Sequence, residues 1–164
     1  MKNVSIYTDG SCLNNGHKGA YGGWAAILIY TDKFGKDHRV EYTGSKADTT
    51  NNRMELCAAI NGISKLKMPC VVTIFTDSTY VCRSAGNMKK LADNGWHTIS
   101  NKYCMVKNKD LLEQLWQVIT DGKHELKFQH INGHAGIVEN ERADALAQSA
   151  ARALKIMEEL NAEE

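Results

Sequence analysis

The chain has one proline, Pro69, in 164 residues, and no Pro- or Ser-rich stretch that reads as a linker. It has no internal repeat. A length that suits one core then predicts a single domain over residues 1–164. Neither charge is in excess: 20 Lys and Arg face 19 Asp and Glu, a net charge of +1. No global field therefore announces a polyanionic partner, and any such affinity needs a local patch. The five cysteines, Cys12, Cys57, Cys70, Cys82 and Cys104, are odd in number and never in CxxC spacing. That disfavours a disulfide framework or a thiolate zinc site and fits free thiols in a reducing compartment. No apolar run reaches membrane-spanning length, and Met1-Lys2-Asn3 leads straight into a strand pattern. A soluble cytoplasmic protein with no membrane partner is expected, and 43% hydrophobic with 24% charged residues is a globular balance.

Val4 to Thr8, Gly22 to Thr31 and Lys36 to Gly44 read as three strands of an antiparallel meander, with Asp32 to Gly35 turning between the last two. Leu56, Ala59, Ile60, Ile63 and Leu66 recur at helical spacing, with Asn51 or Asn52 placed to cap that helix. Val71 to Thr76 is a continuous β-branched run, as expected of a strand covered on both faces, and a short helical segment follows it. After a polar stretch from Gly86 to Lys107, a helix is expected from a cap at Asn108 to Gly122. Glu125 to Ile131 alternates as a strand, and a long helix closes the chain. This order, βββαβ(α)αβα, predicts an α/β fold: a mixed five-stranded sheet, three antiparallel strands and then parallel crossovers, with helices on both faces.

Four acids stand out by position. Asp9 follows an apolar run in "IYTDGSC" (Ile6 to Cys12), and Asp77 follows Val71 to Thr76. Glu55 and Asp144 lie in the first turns of helices. Each has a local explanation. Asp9-Gly10 is a turn signal, Asp77 suits a helix cap, Asn52 and Glu55 match a capping box, and helix dipoles favour early acids. If the first and fourth strands pair, however, the acids meet. Four converging carboxylates would repel by several kcal/mol unless a hard cation sat among them. Oxygen-only ligands suit Mg²⁺, and a pair of such ions is the usual device for in-line phosphoryl displacement. His134, between Gly133 and Ala135-Gly136, is either an exposed loop histidine or one placed to move protons. The His130–His134 spacing does not make a zinc site, because a strand leading into a glycine loop is not a helix and no Glu follows His130.

At these residues the chain resembles the type 1 ribonuclease H family. "YTDGSC", "TTNNRMEL", "TDSTYV" and "GHAG…ENERADALA" match its signature segments in order, from Asp9 to about Ala150. The resemblance implies a catalytic domain with a motif-bearing core of about 3–152 and a helical extension over 153–164. It implies an endonuclease that cuts the RNA strand of RNA/DNA hybrids with two divalent ions, Mg²⁺ with Mn²⁺ able to substitute, leaving 5′-phosphate and 3′-hydroxyl ends. Asp9, Glu55, Asp77 and Asp144 would be the metal ligands, with Asp9 bridging, and His134 the histidine of proton transfer or product departure. Gly10, Ser11, Cys12, Asn51 and Asn52 would meet ribose hydroxyls and bases from the minor groove. Asn15, Thr50 and Arg53 would lie near a DNA-strand phosphate, although Arg53 also suits a purely structural place in its helix.

Three departures qualify the match. The basic protrusion keeps Lys89, Lys90 and Trp96 but adds Asp93, which predicts salt-sensitive binding there. The family's usual Gln is Thr79 here, and "GHKGAYGG" replaces a Gly- and Pro-rich turn. Proofreading-type exonucleases carry an acid where this chain has Ser11. The alternative is a catalytically weak or inactive hybrid-binding module of the same fold, which four intact acids disfavour, since a binder gains nothing from a negative cleft. No protein partner is evident, and a monomer is expected because no apolar surface stripe stands out.

Overall fold

A computed structural model describes residues 1–163. Its strands are β1 (Lys2–Leu13), β2 (Tyr21–Thr31), β3 (Asp37–Ala47), β4 (Cys70–Thr76) and β5 (Glu125–His130), and its helices α1 (Asn51–Ser64), α2 (Thr79–Asp93), α3 (Lys109–Asp121) and α4 (Val138–Ala162). The strand order is β3-β2-β1-β4-β5. The β1–β2 and β2–β3 pairs are antiparallel, while β1–β4 and β4–β5 are parallel, as the order of elements predicted.

Side chains alternate across the sheet, so each face carries its own core. Ile6, Ala26, Val72 and Ile74 pack under Leu56, Ala59 and Ile63 of α1, Val81 and Met88 of α2, and Leu112 and Leu115 of α3. On the opposite face Ala25 and Ile27 meet Ala143 and Ala147 of α4. Small residues on both sides of that contact allow α4 to lie close to β2. The last turns of α4 leave Ile156, Met157 and Leu160 exposed, an apolar strip absent from the reading of the sequence.

Several local expectations are corrected. β1 does not stop at Thr8, because antiparallel pairing with β2 continues from Asp9↔Ala25 to Leu13↔Tyr21. Asp9-Gly10 is therefore strand, and the reversal comes later, where Asn14, Gly16 and Gly19 hold positive φ. Thr50 caps α1, its hydroxyl accepting from the Arg53 N–H at 3.3 Å, while Asn51 and Asn52 are already helical. Asn108 stands at the start of α3 without capping it by its side chain. The segment after Asp77 is not short: α2 runs on through Gly86, because Val81, Ser84, Met88 and Leu91 keep one face buried.

Candidate active site

The site forms where the two central parallel strands part. Parallel pairing of β1 with β4 has its last registered pair at Tyr7↔Phe75. Two residues further along each chain stand Asp9, still in β1, and Asp77, just past the end of β4. Divergence of neighbouring strands at this end opens the crevice in which α/β proteins gather functional groups. Ser78, not Asp77, caps α2, its hydroxyl accepting from the Val81 N–H at 3.1 Å, so the Asp77 carboxylate is not spent on a helix end.

Gly10 brings the third acid in. A Cβ at this position would collide with the backbone of Met54 and Glu55, so the main chain of α1 rests directly on β1. Glu55 lies one turn further into α1 than the sequence suggested, and the helix has no acid in its first turn. Its depth, not the helix dipole or a capping box, accounts for its place. Ligand atoms of Asp9, Glu55 and Asp77 all lie within 4.8 Å of one another. Asp144, in the second turn of α4, stands outside that group of three but near enough for its charge to act on Asp9.

The cluster is electrostatically uncomfortable. Asp9 is 4% and Glu55 8% exposed. Burial first, and then the charges of Asp77 and Asp144, push Asp9 up to about 7, against the effect of its hydrogen bond with Glu55. Burial and the neighbouring Asp9 charge likewise hold Glu55 well above the ordinary range. The Asp9 carboxylate accepts from its neighbour Gly10 N–H at 2.9 Å, but Glu55 Oε2 has no partner among the described residues. None of the four acids is ion-paired with a base among those residues. An all-oxygen donor set with one buried oxygen left over fits a hard divalent cation.

The loop after β5 completes the rim. A Cβ on Gly133 would come to 2.9 Å from Asp77 Oδ2, so this loop leans on the carboxylate. His134 beside it is exposed, with φ 56°. His130, set aside as a zinc ligand, has a role that the sequence did not suggest. Its Nε2–H donates to the Asp77 carbonyl at 3.2 Å and clips the end of β4 to β5.

A groove of about 340 Å³ adjoins the acids, lined by Gly10, Ser11, Asn51, Asn52, Glu55 and Asp77 together with Ser78, Thr79 and Tyr80. Ser78 and Tyr80 were missed as lining residues, although their adjacency to Asp77 was a usable signal. Cys12 and Asn15 sit at the start of α1: the Cys12 thiol donates to the Thr49 carbonyl, and Asn15 Oδ1 accepts from the Asn51 N–H at 2.9 Å. Thr50 caps the helix, and Arg53 is held by both Asp110 oxygens at 2.9 and 2.6 Å. Further out on α2, Lys89 pairs with Asp93 at 2.7 Å, Lys90 is exposed, and Trp96 packs against the core.

A mixed sheet bearing buried carboxylates where β1 and β4 separate defines an α/β protein with an acidic cleft that could hold a metal ion. The RNase H family model matches residues 1–152, and the chain belongs to that family, in its bacterial type 1 form. A ribonuclease H of Brucella anthropi is 44% identical over 151 residues, covering 90% of this chain and 89% of its own. One from Nitratidesulfovibrio vulgaris is 47% identical over 154 residues, covering 92% and 90%. The crystal structure of LC9-RNase H1, a type 1 RNase H with the type 2 active-site motif, superposes with a TM-score of 0.81 at 29% identity, covering 93% of this chain and 74% of that one.

Proposed function

We propose that this chain is an endoribonuclease that hydrolyses the RNA strand of RNA/DNA hybrids, using two divalent ions, Mg²⁺ with Mn²⁺ able to substitute, and leaving 5′-phosphate and 3′-hydroxyl ends. The observation that carries this reading is the Asp9–Glu55–Asp77 cluster, buried at Asp9 and Glu55, with its unpartnered Glu55 oxygen, in a chain of the RNase H family. Such ions, when bound, lower the pKa of water and offset charge on a phosphate under attack.

The protein's own groups supply the rest. Asp9, Glu55, Asp77 and Asp144 offer the oxygen ligands, Asp9 from the centre of the group. Gly10 and Ser11 keep the groove floor free of bulk, and the Asn51 and Asn52 amides can both donate to and accept from a ribose 2′-hydroxyl, which separates RNA from DNA. Asn15, Thr50 and Arg53 gather polar groups at the start of α1, where a DNA-strand phosphate would rest, with Cys12 beside them. His134 stands exposed beside Gly133, whose loop leans on Asp77, and is the imidazole available for proton transfer there. Lys89, Lys90 and Trp96 lie further along the path of the hybrid. The chain is read as a monomer, and five unpaired thiols support the cytoplasm as its compartment.

End-labelled RNA/DNA hybrid, duplex RNA and duplex DNA, each incubated with the protein and Mg²⁺ or Mn²⁺, test the reading. Cleavage confined to the RNA of the hybrid is expected. A hybrid left whole with both ions overturns it.

A further inference from the structure

Asp144 is held differently from the other three acids. Gln148, one turn further along α4, donates from Nε2 to both Asp144 oxygens at 2.9 Å. The Gln148 Oε1 in turn accepts from Arg152 Nη2 at 3.1 Å. Positions 144, 148 and 152 follow at i, i+4 spacing and share one stripe of the helix. The direction of this relay is forced by chemistry. A guanidinium only donates, so the amide end that faces it is oxygen; an ionised carboxylate only accepts, so the end that faces Asp144 is NH₂.

The identity of the donor matters as much as its reach. A lysine or arginine at 148 would grip the carboxylate but would set a positive charge beside a cation site. A glutamate there would add a fifth negative charge. The glutamine amide orders the carboxylate while adding no charge, and Arg152 orders the amide from the exposed end of the relay. Glu55, by contrast, is ordered by burial, and Asp77 has the glycine loop against it. Asp144 is only half-buried, so packing alone leaves its carboxylate room to turn away.

We propose that Gln148, oriented by Arg152, is a positioning residue that presents Asp144 to Asp9 and so sets how tightly the cleft holds the cation that Asp144 helps to bind. This rests on reading the cleft as a divalent-cation site. Loss of the relay leaves the carboxylate to be ordered at the expense of binding, the kind of supporting contact whose removal typically weakens metal affinity 10- to 100-fold.

The test is Mn²⁺ binding to the full chain by calorimetry and by Mn²⁺ paramagnetic resonance, for the wild type, Gln148→Leu and Arg152→Met, beside hybrid cleavage as Mn²⁺ is raised. Gln148→Leu is expected to bind Mn²⁺ about tenfold more weakly and to need about tenfold more Mn²⁺ for half-maximal cleavage. Arg152→Met, an exposed substitution that keeps the fold, shifts both in the same direction by roughly threefold, as a contact one step further from the ligand. Unchanged Mn²⁺ affinity in both variants, with the wild type binding Mn²⁺ and cutting hybrid, overturns the positioning role alone. A wild type that neither binds Mn²⁺ nor cuts hybrid overturns the reading of the cleft and this inference with it.

Discussion

Helix α4 enters two acidic clusters of opposite character. In its first turns Arg142 grips both oxygens of Glu41 on β3 at 3.0 Å each, and Arg39 bridges Glu41 at 3.2 Å and Glu139 at 3.7 Å. Hydrogen bonds from Arg142, with further help from Arg39, hold the Glu41 carboxyl at about 2. Two residues on, Asp144 stands among acids that have no basic partner among the described residues, and burial drives Asp9 up to about 7. Acids that hold the fold together are offset from within it. Acids in the cleft are left in excess, so the compensating charge has to come from solution.

The largest expected effect comes from removing the excess. Asp9→Asn is expected to bring hybrid cleavage to background while raising the melting temperature of the metal-free protein at neutral pH, by about 2–4 °C for each kcal/mol of repulsion relieved. A variant that cuts like the wild type breaks the contrast between the clusters. Gly10→Ala attacks the geometry instead. Forcing a Cβ against the α1 backbone is expected to cost about 1–3 kcal/mol and to move Glu55 away from Asp9, seen as a lower melting temperature together with lost cleavage.

The two clusters also pull stability in opposite directions with pH. Glu41 is ionised in the folded chain down to about 2 but only to about 4.5 when unfolded, so the folded state holds fewer protons between those values and stability there rises with pH. Asp9 keeps its proton up to about 7 against 3.8 when unfolded, so between those values the folded state holds more protons and stability falls as pH rises. Melting of the metal-free protein is expected to worsen from about pH 4 to 7, and Asp9→Asn is expected to remove much of that slope. Mg²⁺ at 100 times its dissociation constant should restore about 2.7 kcal/mol at neutral pH. No response to Mg²⁺ or Mn²⁺ would break the account of the cleft.

The smallest effect belongs to the paired cluster. Glu41→Gln is expected to cost less than about 1 kcal/mol, since its partners are partly exposed, and to leave hybrid cleavage unaltered. Urea denaturation and the cleavage assay together separate this outcome from that of Asp9→Asn.

Much of the architecture was legible because its signals are local. Alternation in Glu125 to Ile131, the β-branched run before Asp77 and the 3.6-residue spacing after Asn51 each name their element within a few residues. The four acids were legible for the same reason, each standing beside a strand or helix pattern. Details that depended on a neighbour were misread. Asp9-Gly10 carries a strong turn signal, but pairing with β2 holds it as strand. Asn51 and Asn52 are good caps, but Thr50 is the last extended residue and takes that place. The partner that holds Arg53, Asp110, lies 57 residues away and was not foreseen, while the structural place left open for Arg53 agrees with it.

The sequence by itself determined which segments are strands and helices and which acids were available, because period, turn chemistry and side-chain type are written within a turn or two of chain. The tertiary structure decided how those acids meet. Parallel pairing of β1 with β4 sets Asp9 and Asp77 side by side, and the missing side chain of Gly10 admits the α1 backbone that delivers Glu55. Register and close approach are properties of two surfaces in contact, and neither surface contains them alone.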